Sequence, residues 1–266
     1  MRTKRSSLAL AAALLLGATG AAAADKPGVE IAVAREELLL PDGDRALAAV
    51  DKLRRARAPA ATDALLDALA LGLPPRIALA ALDALRERRS PAAVDVLVRY
   101  AHHRDPTTRA AAVRALGAVD DRRATDSVKA ALGDGERAVR AAAGEALAAR
   151  RDRSAVPALL TLLGKGDDAA IKPLALLANA EIAARVAELT GKVPDAVVAQ
   201  CLGEILLRPD FGPEKAYIDV VRAVGNIPGD DAVVALTGFI GSLPDKSTRP
   251  AKREAQSIVD ERIGGK

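Results

Sequence analysis

A repeat of apolar residues constrains the fold of this chain more than any other sequence feature. Leu85, Leu116 and Leu147 are spaced 31 residues apart, and other apolar columns keep the same spacing and register. The remaining columns are Ala81, Ala112 and Ala143; Ala93, Ala124 and Ala155; Leu97, Val128 and Leu159; and Ala101, Leu132 and Leu163. With a shift of one residue the register extends back to Leu53 and Pro59. A period of this length indicates stacked supersecondary units.

Each unit is predicted to contain two helices. Residues 108–119 have helical apolar spacing, and Asp121 is expected to cap a second helix that ends near Leu132. Ser90 and Asp152 are the equivalent caps in the neighbouring units. Two short amphipathic helices cannot bury their apolar faces alone, but stacked neighbours can. The sequence therefore predicts an all-α fold, an α-solenoid of about six stacked helix pairs.

Three segments of the repeats are similar to a known family. Residues 109–117 (RAAAVRALG) and 139–147 (VRAAAGEAL) resemble the first helix of short bacterial HEAT repeats of the PBS-lyase HEAT-like type. Residues 155–163 (AVPALLTLL) resemble the second helix of that family. Asp105 and Asp134 lie where the family often has an acidic residue before the first helix. The resemblance implies right-handed stacking into a HEAT-like superhelix and, usually, a protein-binding role.

Four segments follow from these patterns. We expect a signal peptide at residues 1–24, an N-terminal cap at 25–42, regular HEAT-like repeats at 43–167, and degenerate repeats with a C-terminal capping helix at 168–266. The cap is ambiguous, because Val29, Ile31 and Val33 alternate as in a strand while residues 35–40 have a helical pattern. Residues 168–190 and 194–208 are each expected to form a longer, more apolar helix. In the last helix, Ala255, Ile258, Val259 and Ile263 are expected to share one face.

The N-terminus has the pattern of a secretory signal peptide. Arg2, Lys4 and Arg5 precede a short apolar run, and residues 22–24 are three alanines before Asp25, the expected first residue of the mature protein. An uncleaved anchor is the alternative, although the run is short for a membrane span. Cleavage predicts a periplasmic or secreted protein without a membrane span.

Composition argues against binding by overall charge. The 39 basic residues exceed the 35 acidic ones, but removal of the signal peptide lowers the basic count to 36. The mature chain is therefore nearly neutral, and no nucleic-acid partner is expected. Only 2% of the residues are aromatic although 50% are hydrophobic, which favours thin helix layers over one thick core.

The residues that could carry chemistry are few. His102 and His103 are adjacent, so they do not face one another on a helix, and they fit a helix C-terminus better than a metal site. Cys201 lies in an apolar helical segment and is expected to be a small buried residue. We expect no catalytic residue, no metal, no cofactor and no small-molecule substrate.

Arginine is the one polar residue with a repeated position. It recurs at the turn between the paired helices, so stacking is expected to align Arg89, Arg123 and Arg151 along one edge. The same edge is expected to include Arg86, Arg122 and Arg150. These cations could bind an acidic partner, or they could only stabilise helix C-termini while their stems cover apolar edges of the repeats. If they do not bind, Tyr100 and His103 on the second helices mark the alternative surface.

The leading functional hypothesis is an exported, non-enzymatic scaffold that binds another protein through its extended repeat surface. If the arginine edge takes part in binding, the partner is expected to be acidic. One alternative is binding of an anionic glycan or of lipid headgroups through the arginine edge. Another follows from the family resemblance, which includes subunits of bilin lyases. Export argues against that alternative, because it would remove the chain from cytoplasmic pigment assembly.

Overall fold

The computed structural model describes residues 27–264, and the regular secondary structure in this part of the chain consists of helices alone. Residues 1–26, which include the predicted signal peptide, and residues 265–266 lie outside the described residues. The α-helices are α1 (Pro27–Leu38), α2 (Gly43–Arg55), α3 (Pro59–Leu71), α4 (Pro75–Arg88), α5 (Val94–Ala101), α6 (Pro106–Ala118), α7 (Arg122–Ala130), α8 (Arg137–Ala149), α9 (Val156–Leu163), α10 (Ile171–Leu177), α11 (Ala180–Ala187), α12 (Asp195–Leu206), α13 (Glu214–Gly225), α14 (Asp230–Ser242) and α15 (Pro250–Gly264). None of them is long and apolar enough to cross a membrane.

The described part of the chain divides into two compact units, of which the first ends at Val96 and the second begins at Leu97. In the first unit α2 packs against α4, and α1 packs against both α2 and α3. In the second unit α6, α8, α10, α12 and α14 form one row of neighbouring helices, and α11, α13 and α15 form another. This parallel arrangement of alternate helices confirms the predicted α-solenoid.

The repeated apolar columns form the core of each repeat. All fifteen predicted column positions are buried, and Leu85, Leu116 and Leu147 are completely inaccessible to solvent. Ala81, Ala112 and Ala143 are equally inaccessible, since small side chains at these positions let neighbouring helices approach closely. The register predicted from the sequence is therefore confirmed at each column.

Helix ends follow the expected capping chemistry. Asp121 accepts hydrogen bonds from the backbone N–H groups of Arg123 and Ala124 at the start of α7. Asp152 accepts one from the N–H of Ser154 and so begins a short 3-10 segment before α9. Ser90 occupies the equivalent position, but its side chain makes no capping hydrogen bond.

The N-terminal cap is a helix. Ile31, Ala34 and Leu38 are buried on one face of α1, whereas Val29 and Val33 remain partly exposed. The strand-like alternation of Val29, Ile31 and Val33 was therefore misleading, because positions 31, 34 and 38 have helical spacing.

The C-terminal repeats are shorter than expected, so seven helix pairs follow α1 where the sequence indicated about six. Residues 168–190 do not form one long helix, since α10 ends before Ala178 and Asn179 begins α11 by accepting a hydrogen bond from the N–H of Ile182. The last helix, α15, buries Ala255 and Val259 as expected. Ile263 was expected on the same face but is 60% exposed.

Candidate functional site

The arginines that the sequence placed along one edge lie at the C-terminal ends of α4 and α8 and at the start of α7, and Arg54 and Arg55 end α2 in a similar way. Their side chains have two different environments. Some donate hydrogen bonds to backbone carbonyls of a neighbouring helix, and others extend into solvent. Only the second group is available to a ligand.

Arg88 belongs to the first group and joins α4 to the turn between α2 and α3. Its guanidinium donates to the carbonyls of Leu53, Ala56 and Ala58 at 3.2, 2.5 and 2.9 Å. Its Nε donates to Oγ1 of Thr62 at 2.6 Å. The last carbonyls of a helix have no partner within that helix. Arg88 supplies the missing donors to α2 and, by doing so, fixes one helix pair against the next.

The same arrangement recurs along the second unit. Arg150 donates to the carbonyls of Gly117 and Val119; Arg208 to those of Ala175, Leu176 and Ala178; and Arg262 to those of Gly225, Ile227 and Gly229. Each arginine reaches back about one repeat to the end of the neighbouring helix in its row. Arg150, predicted as a binding residue, therefore holds α8 against α6, and its side chain is only 26% exposed. The sequence analysis did not single out Arg208 and Arg262. Each lies about one repeat after the helix end that it contacts, and this spacing could have identified them.

Arg89 and Arg151 are the only non-glycine residues with a positive φ in the described part of the chain. Arg89 has φ 51° and ψ 31° at the end of α4, and Arg151 has φ 55° just after α8. Glycine is favoured in this left-handed conformation, because a Cβ atom adds a steric cost of about 1–2 kcal/mol. Each follows an arginine that is bonded to carbonyls, so Arg88–Arg89 and Arg150–Arg151 are matched pairs.

In the first unit, three exposed arginines surround a groove of about 610 Å³ between the ends of α2 and α4. We call this the arginine groove. Arg55, Arg57 and Arg89 line it, and their side chains make no hydrogen bond or ion pair with the described residues. Two carboxylates, those of Asp63 and Glu87, also line the groove. Glu87 accepts a hydrogen bond from Arg54 at 2.8 Å, whereas Asp63 is not paired with Arg54. The groove therefore has an excess of positive charge.

A second, more apolar groove of about 500 Å³ adjoins it. Val29 and Val33 on α1 and Leu53 on α2 line this apolar groove, and Arg55 lines both grooves. Ala56 is likewise common to the two. A ligand in the first unit could thus contact apolar and cationic side chains at once.

The other predicted edge residues have acidic neighbours. Arg86 lies 2.9 Å from Asp83; Arg122 lies 3.8 Å from Asp126; and Arg123 lies 3.9 Å from Asp121. In the second unit Arg150 also approaches Asp120 at 3.3 Å, and Lys129 approaches Asp152 at 3.1 Å. The turns of the second unit are therefore closer to electrical balance than the arginine groove.

Tyr100 and His103, the alternative surface residues, are brought together by the end of α5. Their rings stack with centroids 6.0 Å apart, and both side chains are half-buried. Nδ1 of His103 accepts a hydrogen bond from the backbone N–H of Asp105 at 3.1 Å. His103 therefore helps to shape the turn before α6, and His102 beside it is exposed.

A further arginine series pairs with aspartates in the turns between repeats of the second unit. Arg109 donates two hydrogen bonds of 2.9 Å to Asp134, and Arg140 donates to Asp167 at 2.5 Å. The hydrogen bond from Arg109 is the main cause that lowers the pKa of Asp134 below its ordinary value. Asp105 also has a lowered pKa, chiefly because the Thr108 hydroxyl donates to it. These pairs fix the turns in place.

Cys201 is completely buried on α12, as the sequence predicted. Burial raises the pKa of its thiol to about 12, and the nearby Glu204 carboxylate acts in the same direction. A thiol that stays protonated is a poor nucleophile. Among the described residues, no three His, Cys, Asp or Glu side chains form a group that could hold a metal ion.

The sequence analysis did not find the aromatic cluster of the second unit. Phe211, Tyr217 and Phe239 pack together, with ring centroids 4.2 and 6.2 Å apart along the series. Arg249 lies over the Tyr217 ring at 4.2 Å and pairs with Glu214 at 2.7 Å. Phe239 lies on a different helix from Tyr217, so only the folded chain reveals that the three rings form one core layer.

Comparison with known families agrees with the repeat pattern. Residues 62–148 and 99–180 match the model of HEAT repeats. Residues 62–180 therefore carry HEAT repeats. No curated protein matches this chain in sequence.

Solved structures of helical-repeat proteins are similar in fold. Kap121p aligns with 88% of this chain at a TM-score of 0.57 and 13% identity, and this chain spans about a third of its length (33%). The complex of CpcE and CpcF of phycocyanin lyase from Nostoc sp. PCC7120 aligns with 89% of this chain and 94% of that chain, at a TM-score of 0.46 and 21% identity. Human deoxyhypusine hydroxylase aligns with 90% of this chain and 97% of its own chain, at a TM-score of 0.41 and 17% identity.

Proposed function

We propose that this HEAT-repeat protein is an exported, non-enzymatic scaffold that binds another protein through the outer surface of its repeats. The repeat fold is the observation that carries the proposal. The apolar columns of the helix pairs are buried in the interior, so the outer surface of successive helices stays available for extended contact with a partner. A related fold in such a role is Kap121p, whose structure bound to Ste12p aligns with 88% of this chain at a TM-score of 0.51.

Two further observations support a binding role over catalysis. His103 accepts a hydrogen bond from the backbone at a helix start, and the Cys201 thiol is buried with a raised pKa. Two of the three histidine and cysteine side chains of the chain, those of His103 and Cys201, therefore have local structural explanations. Export is supported by Arg2, Lys4 and Arg5 before an apolar run and by the three alanines before Asp25.

The decisive experiment tests whether the protein forms a complex of fixed stoichiometry with a protein partner. The purified protein is immobilised and used to capture proteins from the cell-envelope fraction of the producing organism. A captured partner is then mixed with the HEAT-repeat protein and analysed by size-exclusion chromatography with light scattering. We expect a complex of fixed stoichiometry. If no captured protein forms such a complex at any salt concentration, the scaffold proposal is contradicted.

Export has its own measurement. N-terminal sequencing of the protein from the periplasmic or extracellular fraction is expected to begin at Asp25. Recovery of the protein only in the cytoplasm with residues 1–24 still attached would contradict this part of the proposal.

A further inference from the structure

We propose that the arginine groove and the adjoining apolar groove of the first unit together bind an acidic segment of a protein partner that also presents an apolar side chain. The inference rests on the proposed function, because it assigns the partner's chemistry and the place where it binds. It replaces an edge that runs over many repeats with a single composite site.

The charge of the arginine groove is the first argument. Arg54 and Arg88 are engaged, the former with Asp83 and Glu87 and the latter with backbone carbonyls. Arg55, Arg57 and Arg89 also line the groove but have no partner among the described residues. Free guanidinium groups around one concave surface suit carboxylates, since each can form two parallel hydrogen bonds with a carboxylate.

The backbone at Arg89 is the second argument. This residue adopts φ 51°, a conformation in which glycine would cost less. The helix would end there equally well with glycine, since the N–H of residue 89 makes the terminal hydrogen bond to the Leu85 carbonyl. What an arginine adds at this position is a cationic side chain that lines the groove.

The apolar groove decides which class of ligand fits best. Val33 is 45% exposed there, and Arg55 separates the apolar lining from the arginine groove. A polypeptide can supply carboxylates and an apolar side chain within a few residues. A sulfated glycan offers no apolar group to this lining. A flat anionic membrane surface would reach the rim of a recess more easily than its lining.

The second unit provides an internal comparison. Arg151 has the same left-handed conformation as Arg89, with φ 55°, and it also follows an arginine that is bonded to carbonyls. The neighbouring Arg150 pairs with Asp120, and Asp152 pairs with Lys129. Arg151 is therefore the matched control position, because it has the same backbone conformation but does not line the arginine groove.

The test measures binding of labelled octapeptides to the full protein by fluorescence anisotropy at low and high salt. The probes are EEELLEEE, EEEEEEEE and KKKLLKKK. We expect EEELLEEE to bind about tenfold more tightly than EEEEEEEE, because burial of a leucine contributes to affinity. Binding is expected to weaken as salt rises. KKKLLKKK is expected not to bind.

Variants locate the site. Arg55→Glu, Arg57→Glu and Arg89→Glu in one chain should weaken EEELLEEE binding at least about tenfold, whereas Arg151→Gly should leave it unchanged. Arg89→Gly covers the case in which the triple variant does not fold, since it relieves the backbone and removes one cation. It should weaken binding severalfold without lowering the melting temperature.

Three results would overturn the inference: no binding of EEELLEEE, equal binding by the Arg89→Gly variant, or tighter binding to phosphatidylglycerol vesicles or heparin than to the peptide. The scaffold proposal fails separately. If a protein partner still forms its stoichiometric complex with the triple variant, the scaffold stands and this site is wrong. If no protein partner exists but the peptide results hold, the groove stands and the scaffold is wrong.

Discussion

At the residue scale, two neighbouring arginines of the same turn have opposite roles. Arg88 satisfies three carbonyls and one hydroxyl, so its replacement leaves half-buried acceptors without donors. We expect Arg88→Met to lower the free energy of unfolding by about 2–4 kcal/mol, after a reduction for partial exposure. Urea unfolding followed by circular dichroism measures this loss.

Arg89→Gly is the matched control for that substitution. Because residue 89 has a positive φ, glycine relieves steric cost there but also makes the unfolded chain more flexible. The free energy of unfolding should change by less than about 1 kcal/mol in either direction. Equal destabilisation by Arg88→Met and Arg89→Gly would show that the two side chains do not differ as described.

Leu116 tests the repeat register at the same scale. It is completely buried between α6 and its neighbours. Leu116→Ala should cost about 2–5 kcal/mol, since the side chain loses transfer free energy and leaves a cavity. A loss below about 1 kcal/mol in urea unfolding would be incompatible with this packing.

At the element scale, α6 and α8 approach most closely at Gly117. A Cβ atom at this position would collide with the Cβ of Ala146, whereas a Cβ at Gly238 on α14 would meet nothing within 4 Å. Gly117→Ala should therefore destabilise the protein by about 1–3 kcal/mol. Gly238→Ala should stabilise it by up to about 1 kcal/mol, because alanine favours the helix. Thermal unfolding of the two variants distinguishes them, and changes of the same sign would contradict the close approach.

The turn before α8 gives the second unit a dependence on pH. The Arg109 hydrogen bond lowers the pKa of Asp134 in the folded state below its value in the unfolded chain. Its stabilising contribution is therefore complete above the unfolded pKa of about 3.9 and is lost as pH falls through the lowered folded pKa. We expect Asp134→Asn to be less stable than the parent at pH 6 and to approach it near pH 2. A constant difference between the two proteins over this range would exclude the proposed linkage.

Sequence patterns predicted the helices better than the roles of their polar residues. The Leu85, Leu116 and Leu147 column was predictable because burial imposes a period that the sequence displays directly. The different roles of Arg88 and Arg89 were not predictable, because two identical side chains differ here only in backbone conformation and in the carbonyls that they reach. The break at Asn179 was missed because its capping hydrogen bond depends on where α10 ends.

At the scale of the whole molecule, similar repeats carry different surfaces. The core columns are shared from repeat to repeat, whereas the exposed arginines Arg55, Arg57 and Arg89 line one groove in the first unit. The turns of the second unit contain more acidic partners, such as Asp121 beside Arg123. The partner's binding site is therefore assigned to the first unit.

Site-specific photocrosslinking in living cells tests this claim most directly. A photoreactive benzoylphenylalanine replaces Ala92, which lines the arginine groove, or Ala158 on α9 in the second unit, where the exposed side chain serves as the control. We expect one discrete protein adduct at position 92, identified by mass spectrometry as a protein with an acidic segment, and loss of that adduct when Arg55 and Arg89 are changed to Glu. Absence of an adduct at position 92, or an adduct that persists in the charge-reversed protein, would contradict the account.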